Sequence, residues 1–285
     1  MWSNINTPHD TCPTECFDHG LSQYRPVETM IGKDNLLKGK YWSKSWGLVS
    51  GCTPCSPGCT HCWALAMEKR FYGSPQERGI GGIIGPSRKT VFGNIQIHPE
   101  RLDIPLKRKK PTAFSIWNDI AHESVPEKFR VRVFDIMAQC PQHIFLMLTK
   151  RIGIMSRFEG WVRRLPNVWP GVTICNQPEA DEKIPILLQI PAAVRWVSIE
   201  PMLGPVDLLY PTFNRADSLS AMTGINWVIL GGETGPGARP MKTEWVRDVR
   251  DKCVSAGVKF LFKAWGPRKE VGRILDGRTW DGLPT

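Results

Sequence analysis

The chain has 285 residues, 41% of them hydrophobic and 22% charged. That is enough apolar material for one large domain or two ordinary ones, and it excludes a disordered chain. Lys and Arg number 37 against 27 Asp and Glu, and the net charge of +10 steers the protein toward phosphate or another polyanion.

The N-terminal stretch MWSNINTPHDTCPTEC lacks the basic start and apolar middle of a secretory signal. No run of about 18 apolar residues follows it, so a soluble, cytoplasmic protein without membrane contact is expected. Nine cysteines in such a compartment point to metal or redox chemistry rather than structural disulfides.

Residues 1–44 are polar and irregular, with Pro8, Pro13 and Pro26, and read as an N-terminal extension to a domain spanning 45–285. Apolar, β-rich runs then recur at Trp46–Val49, Val91–Ile97, Thr112–Trp117, Ile144–Leu148, Gly171–Ile174, Val194–Ile199, Trp227–Leu230 and Lys259–Phe262. Helical spacing separates most of them, at Cys62–Phe71, Glu127–Gln139, Ile154–Arg163, Glu179–Gln189 and Glu244–Ala256. Strands alternating with helices predict an α/β fold with parallel pairing through right-handed crossovers. The architecture expected is a complete or partial TIM-type (β/α) barrel, with an open doubly wound sheet as the alternative.

Polar residues close these runs. Asn118, Asp119 and His122 follow the third, Lys150 and Arg151 the fourth, Asn176 the fifth, Glu200 the sixth, Glu233 the seventh and Lys263 the eighth. In a barrel those positions ring one mouth. Asn118, Asp119, Lys150, Glu200, Glu233 and Lys263 are therefore the candidate cofactor-binding set, of mixed charge suited to a zwitterionic ligand. Salt bridges among them are the simpler alternative.

The first run is followed by GCTPCSPGCTHCWA, which carries Cys52, Cys55, Cys59 and Cys62 as candidate metal ligands. Cys55, Cys59 and Cys62 read C-x3-C-x2-C, the signature of radical S-adenosylmethionine (SAM) enzymes; Cys52, Cys59 and Cys62 read C-x6-C-x2-C. A reactive [4Fe–4S] cluster takes three thiolates and leaves one iron open, whereas an electron-transfer cluster takes four. Zinc is the competitor, but its paired C-x2-C knuckles are usually separated by about 15 to 20 residues, and here only Ser56, Pro57 and Gly58 intervene. Cys12 and Cys16 read as reduced thiols or a further metal contact, and Cys140, Cys175 and Cys253 as core residues.

These residues carry a family resemblance. With LTKR at 148–151, PNVWPGV, ADEKIPILLQIPAAVRWVSIEPMLGPVDL, NWVILGGETGPGARPM, FLFKAWG and LDGRTWD, the chain from about Trp46 to Pro284 resembles the phage-associated three-cysteine-motif proteins, a radical-SAM-like family. The resemblance implies Cys52, Cys59 and Cys62 as ligands. This chain departs from the pattern by adding Cys55, which leaves Cys52 and Cys55 both open as the third ligand. It further implies a [4Fe–4S] cluster and S-adenosylmethionine as cofactors, an external electron donor, a three-Cys-motif partner protein and, for a phage protein, the host cytoplasm.

GGETGPGARP, residues 231–240, reads either as a phosphate or cofactor loop in which Glu233 accepts from an amine or ribose, or as a Gly-rich turn that Glu233 caps. In radical SAM enzymes a GGE motif ends the second strand; this one follows the seventh run, so that role does not transfer. Arg239 suits a carboxylate or phosphate. His61 is either a proton donor or a helix-start residue. No G-x-x-x-x-G-K-[ST] loop or G-x-S-x-G elbow is present. The expected function is radical-SAM modification or repair of a DNA or RNA base, with Lys107, Arg108, Lys109 and Lys110 as the densest basic run. The alternatives are a non-catalytic metal module binding nucleic acid or a partner protein, and a radical enzyme for a peptide or small molecule.

Overall fold

The structure, a computed structural model, describes residues 26–62, 95–208, 222, 224–266 and 272–285. The expected extension up to residue 25, Cys12, Cys16 and the helical stretch after Cys62 lie outside them. Strands β1 (Lys44–Trp46), β4 (Ala113–Ile116), β5 (Ile144–Thr149), β6 (Val168–Ile174), β7 (Trp196–Ile199), β8 (Trp227–Gly231) and β9 (Lys259–Ala264) form one parallel sheet in that order. The order never reverses, which rules out the doubly wound alternative. Successive right-handed crossovers then place the described helices that connect the strands on one face and curl the sheet into a half-barrel.

Packing bears this out. The outer face, including Phe114, Phe145, Val172, Val197, Val228 and Phe262, shares one core with the apolar stripes of the helices. The Glu127–Ala138 helix buries Phe129, Val133, Phe134 and Met137, and the Thr243–Ser255 helix buries Val246, Val249 and Cys253, at the spacing of a single helical face. Strands covered on both faces read as continuous apolar runs, which is why they are plain in the sequence.

The inner face forms a second core. Ala113, Ile144, Leu146, Trp169, Trp196, Trp227, Ile229 and Leu261 are covered by Val27, Met30, Ile31, Leu36 and Tyr41. The described part of the extension is therefore not irregular: it folds into helices Val27–Ile31 and Lys33–Leu37, which plug the open side of the sheet. Tyr41 meets the Trp196 and Trp227 rings edge-on at 5.6 and 5.7 Å, a geometry that adds to the area these rings bury. The outer edge of β9 is covered by the C-terminal segment, where Phe262 N–H donates to Trp280 O and Gly282 N–H to Phe260 O.

Two further expectations are corrected. The first run divides, because Trp46 O accepts from both Leu48 N and Trp117 N and ends β1. Val49–Ser50 (β2) then pairs antiparallel with Gln96–Ile97 (β3), the described part of the second run, so that run lies outside the parallel sheet. The stretch Ile154–Arg163 is a chain of short turns, Ile152–Met155, Ser156–Phe158 and Glu159–Val162, rather than one helix.

The basic run Lys107–Lys110 immediately precedes β4 and so lies at the N-terminal end of the sheet, opposite the cysteine loop that follows β1 and β2. Lys107 pairs with Asp103, and Arg108 Nε donates to Thr112 Oγ1 at 2.5 Å. A cavity of about 500 Å³ opens at that same end, bordered by Val194, Asn226 and Lys259, and is unconnected with the thiols. Among the described residues no helix is long and apolar enough to cross a membrane.

Gly171 shows how tightly the inner core is filled. It is paired in register with Trp196, whose indole lies where a Cβ would stand, 2.3 Å away. Gly171→Ala forces that ring off its site, with an expected loss of ~1–3 kcal/mol in denaturant unfolding. An unchanged unfolding midpoint would show that the ring relocates freely.

Candidate active site

The cysteine loop, Gly51 to Cys62, is irregular backbone laid across the C-terminal strand ends. Its second half is wound by local chemistry. Ser56 caps the turn Pro57–Cys59 by accepting from Gly58 N at 3.2 Å, and Pro57 fills the first position, where no N–H is needed. Cys62 N–H donates to Cys59 O at 3.3 Å and carries the turn onward.

The first half is held by Arg151, whose guanidinium is almost fully buried. Nη2 donates to Thr53 O and Thr53 Oγ1, both at 2.8 Å; Nη1 donates to Asp119 Oδ2 at 3.1 Å and reaches Cys52 Sγ at 3.9 Å; Nε donates to both oxygens of Glu123 at 2.9 Å. His122 completes the grip. Its Nδ1 accepts from Ser124 N, which leaves Nε2–H to donate to Thr53 Oγ1 at 2.8 Å. Burial, followed by the Arg151 charge, lowers the pKa of this histidine and keeps it in that neutral form.

The second half is held by Glu233, which follows β8. Its Oε2 accepts from His61 Nδ1, Arg239 N and Arg239 Nε at 2.8–2.9 Å, and its Oε1 pairs with Arg239 Nη2. Arg239 Nη2 also donates to Pro57 O at 3.0 Å. Burial opposes ionisation of Glu233, but the Arg239 side chain, its backbone N–H and His61 outweigh it and hold the carboxyl at about 2.

A third contact sits beneath the loop. Cys175, at the end of β6, places Sγ 3.7 Å from Ser56 Oγ and 2.4 Å from where a Cβ on Gly58 would stand. Its N–H donates to Glu179 Oε2, and Glu179 pairs with Lys183.

The candidate residues thus come together, though mostly with one another. Asn118, with φ +60, donates Nδ2 to Val49 O and fastens β2. Asp119 accepts from Thr149 Oγ1, Ala121 N, Lys150 N and Arg151. Lys263 Nζ pairs with Glu200 Oε1 at 2.7 Å, and Ser198 Oγ donates to Glu200 Oε2. The salt-bridge alternative therefore describes Asp119, Glu200, Glu233 and Lys263.

Lys150 differs. Among the described residues no carboxylate pairs with its ammonium, and the charges that act on it most are those of thiols. Burial disfavours the charge, yet Cys59, Cys175, Cys62 and Cys55 override it and raise the pKa. The neighbouring thiols of Cys55 and Cys59 act on one another, which holds Cys59 down to about 5 and pushes Cys55 up. Cys52 is raised by burial, against the pull of Arg151.

Thr53 and Glu123 escaped the sequence reading, as did the contact that Cys175 makes with the loop. Thr53 had no motif. Cys175 is buried as the core reading has it, and the signal for its contact with the loop was that it follows a strand run as Lys150 and Glu200 do.

Among the described residues, no three Cys, His, Asp or Glu side chains converge on a point that would hold one metal ion. The donors nonetheless fit a thiolate-ligated cluster in kind. Cys55 and Cys59 stand on one turn of the loop, Cys62 lies one turn on, and Lys150 favours the ionised sulfur of Cys59 that soft metals bind.

Fold and site together define an α/β half-barrel protein with a cysteine loop clamped over its strand ends. The chain belongs to the family described as protein of unknown function (DUF5131), which matches residues 38–284. No curated protein matches its sequence. Among solved structures it is similar to one titled spore photoproduct lyase complexed with dinucleoside spore photoproduct, with 8% identity over 73% of this chain and a TM-score of 0.38. The chain spans 60% of that protein's length.

Two outcomes test the clamps. Arg151→Ala strands Asp119 and unties Thr53, so a loss of about 3–5 kcal/mol is expected by chemical denaturation, as for one-sided removal of a buried ion pair. Glu233 has a depressed pKa, so its contribution is present above the ordinary value of 4.5 and is lost as pH falls toward about 2. Glu233→Gln should flatten stability against pH across that window, and an acid limb identical to the wild type would refute the assignment.

Proposed function

We propose that this chain is a radical-SAM-type enzyme whose cysteine loop holds a [4Fe–4S] cluster, with Cys59, Cys62 and either Cys52 or Cys55 as ligands and S-adenosylmethionine at the open iron. The observation that carries the reading is a four-thiol loop clamped over the C-terminal ends of a parallel half-barrel, with the ammonium of Lys150 among the sulfurs and no carboxylate partner among the described residues. Strand C-terminal ends are where barrels of this winding build active sites. When bound, the cluster and S-adenosylmethionine would supply one-electron radical chemistry.

The chain's own residues prepare the site. Lys150 favours thiolate over thiol at Cys59. Arg151 and Glu233 fix the two halves of the loop, so the donors are presented by a tethered segment. The Trp196, Trp227 and Tyr41 floor excludes water from below. Lys263 lies over the Tyr41 and Trp42 rings at 5.8 and 6.0 Å while it pairs with Glu200.

The substrate we favour is a nucleic-acid base, on the strength of the +10 charge. Lys107–Lys110 lies at the far end of the sheet, so the basic residue we favour for phosphate at the mouth is exposed Lys242, on the loop after β8. On the same reading the chain is one of the phage-associated three-cysteine-motif proteins. It then works in the host cytoplasm with an external electron donor and a three-Cys-motif partner protein.

A second reading, a non-catalytic metal-stabilised module, is favoured by the internal pairing of Asp119, Glu200, Glu233 and Lys263, which leaves few polar groups for a substrate. One experiment separates the two. Protein reconstituted without oxygen should bind about four irons per chain, absorb broadly near 400 nm and cleave S-adenosylmethionine under reduction. Cys59→Ala and Cys62→Ala should each lose the iron, and only one of Cys52→Ala and Cys55→Ala should. Stoichiometric zinc without iron uptake, or a cluster that needs all four thiols and leaves S-adenosylmethionine intact, would favour the module.

A further inference from the structure

We infer that the Gly231–Pro240 loop is a latch, in which Glu233 and Arg239 position Cys59 and Cys62 rather than bind a ligand. The inference concerns the site of the proposed activity and deepens that reading. The sequence invited the opposite view, since a glycine-rich GGE segment suggests a carboxylate open to an amine or ribose.

The geometry closes that option. Glu233 is 4% exposed, and both of its oxygens are engaged, by three nitrogens on Oε2 and one on Oε1. A ligand amine would have to displace a charge-assisted bond from Arg239 or His61. All of these partners lead back to the cysteine loop: His61 sits between Cys59 and Cys62, and Arg239 Nη2 also holds the carbonyl of Pro57, two residues before Cys59.

The glycines serve the same packing. A Cβ on Gly232 would stand 2.6 Å from Trp265 O, so the loop lies directly against the end of β9. Gly237, at φ +73, turns the chain beneath the His61 ring, with Nε2 3.6 Å from its Cβ position. Left-handed geometry at that point favours glycine whether or not a phosphate is ever bound. Arg151 grips Thr53 in the first half of the loop and the latch grips Pro57 and His61 in the second, so the two clamps are separable.

That separability makes the latch testable in metal-free, reduced protein by measuring the alkylation rate of each cysteine by mass spectrometry. Arg239→Ala and Glu233→Gln should each speed labelling of Cys59 and Cys62 by about 10- to 100-fold, the change in local opening expected on losing a charge-assisted hydrogen bond. Cys52, on the Arg151 side, and buried Cys253 should keep their wild-type rates. Arg239→Lys, which retains a cation, should give an intermediate rate and guards against a truncation that disturbs the fold. Unchanged Cys59 and Cys62 rates overturn the inference, as does equal acceleration of Cys253, which would make the pair a support for the whole domain. Normal thiol rates with weakened S-adenosylmethionine binding would return Glu233 to a ligand-binding role. A wild type that takes up no iron defeats the cluster reading and leaves this contrast to stand or fall alone.

Discussion

The buried guanidinium of Arg151 is the contact on which the arrangement of the thiols rests. It joins the end of β5, where it sits, to the end of β4 through Asp119 and Glu123, and both to the cysteine loop through Thr53. Burying a cation costs several kcal/mol of hydration, and the cost is recovered only when its donors meet well-placed acceptors. Five protein oxygens meet that condition here. Such a site fixes geometry more than it adds stability, because partial engagement would leave an uncompensated charge. An irregular loop with little apolar surface of its own acquires a defined position by this means.

The same logic explains why the mouth is nearly self-neutralised. Asp119 with Arg151, Glu233 with Arg239 and Glu200 with Lys263 are three pairs contributed by different strand ends. The first joins the ends of β4 and β5, the second closes the loop after β8 on itself, and the third joins the ends of β7 and β9. Against that background Lys150 stands apart, an ammonium facing sulfur. The neighbouring Cys55 thiol, followed by the Lys150 field, favours the ionised form at Cys59 alone before any metal arrives, while Cys52, Cys55 and Cys175 are held up as thiols. Metal capture by thiols releases protons, and a site that has already released some is the better acceptor at neutral pH.

Much of this was legible in the sequence, for physical reasons. Parallel strands buried on both faces must be apolar throughout, so Ile144–Leu148 and Trp227–Leu230 were recognisable within a residue or two of the observed strands. Polar residues at strand ends follow from the same rule, and Asp119, Lys150, Glu200, Glu233 and Lys263 do meet at one end of the sheet. What the sequence did not carry was pairing. Arg151 and Thr53 are 98 residues apart, and nothing local distinguishes a guanidinium that grips a loop from one that faces water. The ribbon of Val49–Ser50 with Gln96–Ile97 was hidden because short apolar runs do not state their partner. Cys175 is buried as expected of a core residue, and what the sequence withheld was its contact with the underside of the loop.

The contact between Gly58 and Cys175 has a meaning for how such a chain can change over generations. With a sulfur 2.4 Å from the missing Cβ, a larger residue at 58 lifts the cysteine loop unless position 175 shrinks at the same time. The two positions therefore drift as one unit, although 117 residues separate them. Gly231 and Glu200 form a looser unit of the same sort, at 3.1 Å. Lineages that keep a thiol at 175 are bound to keep glycine at 58, whereas an alanine or serine at 175 opens the first step toward a differently shaped loop. The route by which this mouth could acquire new chemistry thus runs through a buried residue that touches no ligand.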